Sequence, residues 1–175
     1  MLNRQSGEDL LYQQILNCRD FHNVLQTVMG WTNTHLHQFI IAGKFYTAPD
    51  DESYLEYIDY RKVKLNQVLS GEEESIIYEY DFGDEWEHKI VLEKILQNHI
   101  QKYPSCLTGK RTCPPEDCGG PYGYKDLIKV ISDKNNEKYA EMIEWLGENF
   151  DPEYINIEEI NEMLKEKDYG CISLN

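Results

Sequence analysis

The chain has 175 residues and a 41% hydrophobic share, the size of one ordinary domain with enough apolar material for one core. Thirty-two acidic residues against seventeen basic ones give a net charge of −15, which argues against a free-standing nucleic-acid binder, because such proteins carry a basic stripe that displaces counterions from phosphate. No apolar run approaches the ~20 residues that span a bilayer, and the start lacks a signal-peptide stretch. The five cysteines are an odd number that suits a reducing compartment, so a cytoplasmic protein with no membrane partner is expected.

Ser6-Gly7-Glu8-Asp9 looks like a helix start, with Leu11, Ile15 and Cys18 at helical spacing, so residues 2–18 are predicted to be helical. Asp20 reads as a second cap, before an apolar stripe of Phe21, Val24, Leu25, Val28 and Met29 that ends at Gly30. His35 to Ile41 alternates like a strand, turns through Ala42-Gly43-Lys44 and continues as Phe45-Tyr46-Thr47. Pro49-Asp50-Asp51-Glu52 reads as a loop, Lys62–Leu65 as a short strand, and Asn66–Leu69 as one helical turn ended by Gly71.

Ser75–Asp81, Phe82-Gly83-Asp84-Glu85 and Trp86–Ile95 read as strand, turn and return strand. Ile76, Tyr78 and Tyr80 share one face of the first strand; Trp86, His88, Ile90 and Leu92 share one side of the second. Residues 98–124 form a long Pro-, Gly- and Cys-rich stretch, expected to be a loop pinned by function or by a ligand. Helices follow from Asp126, around Tyr139, Met142, Ile143 and Leu146, and after the cap Asn156 with Glu159 three residues on. The pattern predicts a single α+β domain, antiparallel hairpins packed against N-terminal and C-terminal helices.

Two dense blocks stand out, Tyr80-Asp81-Phe82-Gly83-Asp84-Glu85-Trp86-Glu87-His88 and Cys113-Pro114-Pro115-Glu116-Asp117-Cys118-Gly119-Gly120-Pro121-Tyr122-Gly123-Tyr124. With Gly30-Trp31, His35-Leu36-His37-Gln38-Phe39, Pro104-Ser105-Cys106, Phe150-Asp151-Pro152 and the Asn161–Leu164 segment, they resemble the plasmid pRiA4b ORF-3-like family over roughly residues 20–165. The resemblance implies an α+β fold and a frequent association with mobile genetic elements, with no agreed activity. Some members carry a resolvase-like label, which is discounted here because the chain lacks a serine-recombinase architecture and a basic tail. Members usually begin with an arginine-bearing strand. The predicted helix at 2–18 departs from that pattern and suggests an altered sheet edge, open to cover by the helix or to pairing with a second copy.

The blocks offer two kinds of site. Cys106, Cys113 and Cys118, spaced C-x6-C-x4-C, could hold zinc with His88, His37 or His99 as fourth ligand, although a tight C-x2-C knuckle is missing. Buried thiols packing a loop explain the same residues. Asp81, Asp84, Glu85, Glu87, Glu116 and Asp117 could converge around a hard divalent ion or run acid–base chemistry with a histidine, or they could cap turns. His35 and His37, flanking Leu36, could be ligands, although such histidines more often bond at the rim of a core. Trp86, Tyr80, Tyr122 and Tyr124 could form an aromatic wall, although core packing explains them as well, and Gly83, Gly119 and Gly120 would permit close backbone approach.

Two functional readings follow. The first is a non-enzymatic interaction module, its acidic groove lying between residues 80–88 and 113–124 and selecting a basic protein or peptide. The second is a metal-dependent hydrolase acting on nucleic acid through Asp81, Asp84, His88, Glu116 and Asp117. A structural zinc domain is a third.

Overall fold

Phe21, Val24, Leu25 and Val28 fall three or four residues apart, so they form one face of helix α1 (Cys18–Met29), and all four are buried. Asn17 caps the helix, accepting the Asp20 N–H at 2.8 Å, so the cap sits earlier than the predicted Asp20. Gly30 ends it with φ of 72°, the left-handed conformation that glycine adopts without a Cβ clash. The computed structural model describes residues 7–11, 16–49, 56–97, 101–147 and 149–172.

The stripe of α1 packs on a five-stranded sheet. Its strands are β2 (His37–Ile41), β3 (Lys44–Thr47), β4 (Ile58–Asp59), β5 (Ser75–Tyr80) and β6 (Trp86–Val91), in spatial order β4-β3-β2-β5-β6. All pairs are antiparallel except β3–β4. Alternation turns Phe39, Ile41, Ile76, Tyr78, Tyr80 and Trp86 inward, as the hairpin pattern predicts, and pairs Tyr80 with Trp86 and Tyr78 with His88. β6 ends at Val91 rather than Ile95, and His35 precedes β2 rather than lying on it.

Residues 7–11 form a strand, not a helix: β1 (Gly7–Leu11) pairs antiparallel with β7 (Ser105–Lys110) in a separate two-stranded sheet. Local propensity favoured the helix, and a distant partner strand decided otherwise. A first strand is thus present, in this two-stranded ribbon and not in the larger sheet. The sequence before Gly7, residues 12–15, residues 50–55 with most of the predicted Pro49–Glu52 loop, and residues 98–100, including His99, lie outside the described residues. The expected loop at 98–124 contains β7 and the start of α3 (Gly120–Ile131), which begins at Gly120 rather than Asp126. Lys62–Leu65 is not a strand: a 3-10 turn (Tyr60–Lys62) leads through a lone Asn17–Lys64 bridge into α2 (Leu65–Val68). Helices α4 (Tyr139–Leu146) and α5 (Ile157–Met163) fall where expected. Asn161 of α5 clasps the β7 backbone, accepting from Cys106 N–H at 2.8 Å and donating to Cys106 C=O at 2.9 Å.

A polar network lies inside the core. His22 and His37 stack with centroids 3.5 Å apart and ring planes 2° from parallel. His22 Nε2 meets Asn33 Oδ1 at 2.9 Å, an acceptor, so this nitrogen carries the proton. Its Nδ1 then accepts from the Tyr78 hydroxyl at 2.8 Å, which in turn accepts from Gln26 at 2.9 Å. His37 Nε2 bonds the Tyr60 hydroxyl at 3.0 Å. Burial lowers His22 to about 4 and His37 to about 2, helped in His37 by its neighbour His22. Both folded-state values lie below the ordinary 6.5, so the contribution is complete above pH 6.5 and is lost as pH falls from there toward 4 and below. Glu8 opposes this trend, because burial and then Asp9 raise it to about 7, so its contribution is lost as pH rises from 4.5 through 7. The lowered imidazoles, His88 at about 4 among them, outweigh the raised carboxyls of Glu8 and Asp20, and urea unfolding should give a lower free energy at pH 5 than at pH 6.5. The loss is at most on the order of 1 kcal/mol per imidazole per pH unit. Imidazole carbon shifts that titrate near 6.5 in the folded protein would show the pair to be solvated instead.

Candidate functional site

β5 ends at Tyr80, and the chain then makes a tight reversal that its own side chains hold. Asp81 takes a left-handed φ of 55° and donates its N–H to Leu36 C=O at 2.9 Å. Its Oδ1 accepts from Gly83 N–H at 3.1 Å and Asp84 N–H at 3.3 Å, which leaves Oδ2 for another partner.

The second block is tied to the core from beneath. Trp31, just past α1, stacks on Tyr80 with centroids 4.6 Å apart and donates its indole N–H to Pro114 C=O at 2.8 Å. The Tyr80 hydroxyl donates to Glu116 Oε1 and accepts from Thr34 N–H at 3.1 Å. Glu116 Oε2 accepts from the N–H of Thr32 at 2.9 Å and from its hydroxyl. Asp84 Oδ2 accepts from Gly119 N–H at 3.0 Å. A Cβ on Gly120 would lie 2.1 Å from Asp84 C=O, so only glycine fits that contact.

These ties bring His35, Asp81 and Asp117 together. His35 Nδ1 lies 3.5 Å from Asp81 Oδ2 and its Nε2 lies 3.4 Å from Asp117 Oδ1. Nε2 is shielded from solvent and has no aligned hydrogen bond despite that closeness. Asp81 is largely buried, whereas Asp117, with φ of 60°, is 72% exposed. Each of the three residues offers one donor atom, and these atoms lie within 4.8 Å of one another; among the described residues no other three His, Cys, Asp or Glu do so.

A family model described as plasmid pRiA4b ORF-3-like protein matches residues 9–159. The chain belongs to that family. It is 39% identical over 142 residues to the uncharacterized protein y4hQ of Sinorhizobium fredii (strain NBRC 101917 / NGR234), covering 80% of this chain and 73% of that one. The crystal structure of MM3350 from Methanosarcina mazei Go1, a protein of unknown function, superposes with a TM-score of 0.79 at 33% identity, covering 91% of each chain. The α+β fold inferred from the sequence is thus shared with that solved structure. No helix among the described residues is long and apolar enough to cross a membrane.

In this family member the predicted site residues divide. Asp81 and Asp117 enter the cluster; Gly83, Asp84, Glu116, Gly119 and Gly120 build its frame. Asp117 is not the turn cap that a loop carboxylate suggested. Trp86 is buried beside Trp31, and Tyr124 is partly buried against the core. His88 sits edge-on to Trp31 at 5.3 Å, and burial lowers it to about 4. His35 and His37 part company, because His35 precedes the strand while His37 turns into the core.

The zinc set of Cys106, Cys113, Cys118 and His88 is not assembled, since no three of those ligand atoms lie mutually within 4.8 Å. Cys106 is fixed on β7, where its thiol donates to Thr108 C=O at 3.3 Å, and burial pushes the thiols of Cys106 and Cys118 up to about 11. The two blocks are latched together at Asp84, which meets Gly119 and Gly120. A cavity of about 260 Å³ is lined by Pro114 and Pro115 and walled by Trp31, Trp145, Leu146 and Phe150.

Glu116→Ala would leave the Tyr80 hydroxyl and the Thr32 N–H without their acceptor. It should cost on the order of 2 kcal/mol, a fall in Tm of roughly 4–8 °C for a domain of this size. Asp117→Ala, which removes an exposed side chain, should leave Tm within about 1 °C. Equal shifts in calorimetry would mean that the two carboxylates share one structural role.

Proposed function

We propose that this chain is a non-enzymatic binding module whose ligand site is a divalent-cation centre made by His35, Asp81 and Asp117. The observation that carries the reading is one imidazole standing between two carboxylates. A neutral ring has a single N–H, so one of its nitrogens faces a carboxylate oxygen lone pair to lone pair. A positive charge between them removes that conflict, and a metal ion does so while using all three donors. One nitrogen and two carboxylate oxygens suit a first-row divalent ion such as Mn²⁺ or Zn²⁺, with positions left for an incoming ligand on the exposed Asp117 side.

Leu36 and Phe82 follow His35 and Asp81 directly in the chain, and Tyr122 stands in the first turn of α3; they are 71%, 48% and 85% exposed. Exposed apolar side chains close in sequence to the centre's residues, on a chain of net charge −15, support a basic protein or peptide as the partner. The hydrolase reading draws less support: of its five residues, Asp84 and Glu116 are engaged in the frame and His88 is buried.

Isothermal titration of the full chain with Mn²⁺ and with Zn²⁺ should find one site per chain. His35→Ala and Asp117→Ala should abolish it without loss of fold. Undiminished binding in both variants, or no binding at millimolar metal, would remove the centre. Phosphodiester hydrolysis by the loaded protein that disappears in Asp117→Asn would replace the binding module with the enzyme.

A further inference from the structure

We infer that Asp84 is the positioning residue of the cation centre, acting on both of its carboxylates without being a ligand; the inference rests on the metal reading above. Asp81 and Asp117 both stand outside regular structure, on segments well separated in sequence, and neither is placed by a strand or helix. Asp84 touches both arms. Its N–H bonds Asp81 at the side-chain Oδ1 (3.3 Å) and at the backbone carbonyl (3.1 Å), which orients that carboxylate so that Oδ2 faces His35. Its own Oδ2 takes the Gly119 N–H at 3.0 Å, two residues beyond Asp117.

The contact is close as well as polar. The Asp84 carbonyl occupies the space in which a Gly120 Cβ would sit, at 2.1 Å, so the hairpin turn and the start of α3 meet backbone to backbone. On its other side Asp117 is held by Glu116, fixed to Thr32 and Tyr80. Asp117 is thus suspended between two anchors, and Asp84 supplies the one that also holds Asp81. The Asp84 carboxylate does not belong to the donor group, so its effect on a bound ion passes through the two aspartates.

The test is Mn²⁺ titration of the full chain as wild type, Asp84→Ala and Asp84→Asn, with Tm and amide spectra recorded for each. Loss of an outer partner of a metal ligand typically weakens affinity about 10–100-fold, which is the effect expected for Asp84→Ala. Asp84→Asn keeps an oxygen that can accept the Gly119 N–H and should recover affinity to within about threefold of wild type, a rescue that a general loss of stability would not give. Wild-type affinity in Asp84→Ala overturns the inference. So does an Asn variant as weak as the Ala variant, because Asp84 would then act through its charge. If wild type binds no Mn²⁺, the cation reading fails by itself. The amide signals of Asp117 and Gly119 then decide the positioning role: shifts in Asp84→Ala that Asn reverses uphold it, and unmoved signals reject it.

Discussion

The stack of Trp31 on Tyr80 is the contact on which the rest of the site depends. Each ring has its body in the core and its polar tip at the edge of it, the usual use of a buried amphipathic aromatic. The two tips point at one loop: the indole N–H holds Pro114 and the phenol holds Glu116. Since Trp31 leaves α1 and Tyr80 ends β5, the loop position is set by the packing of the main helix on the main sheet. Asp117 follows Glu116 in the chain and inherits that precision.

Carboxylates crowded into two short blocks invite a catalytic reading, and the geometry separates them by what they touch. Glu116 accepts from Thr32 and Tyr80, and Asp84 accepts from a backbone amide across the junction. Glu116 has both oxygens engaged and Asp84 has one. Asp81 divides itself, one oxygen holding its own turn and the other facing His35. Asp117 faces His35 and solvent. Charges used as fasteners are poor candidates for chemistry, because moving a proton onto them would loosen the frame.

Much of this architecture was legible before any coordinates. The β5–β6 hairpin follows from strict alternation, α1 from its apolar stripe, and α5 from Asn156, which accepts the Glu159 N–H at 3.2 Å. The neighbourhood of the two blocks followed from their density. β1 was not legible: Gly7-Glu8-Asp9-Leu10-Leu11 has little strand character, and its pairing is dictated by β7 far along the chain. β7 hid for the same reason, within a stretch whose glycine, proline and cysteine content suggested a loop. A strand running from His35 would place it on one face with His37. The strand begins at His37, and that small shift separates a core residue from a site residue.

The β1–β7 ribbon has a consequence for how the chain folds. Gly7 pairs with Lys110, about a hundred positions away, whereas the strands of the larger sheet join largely through near neighbours in sequence. Closing so long a loop costs more chain entropy than closing a hairpin, and contacts of high sequence separation slow folding. The ribbon is therefore expected to form late, and its ties to the remainder include the clasp of Asn161 on Cys106 and the packing of Leu10 on the core. In native-state hydrogen exchange the amides of β1 and β7 should open together at a lower free energy than those of β5. Equal protection across both sheets would instead mark one cooperative unit, with the N-terminal strand as integral to the fold as the hairpin.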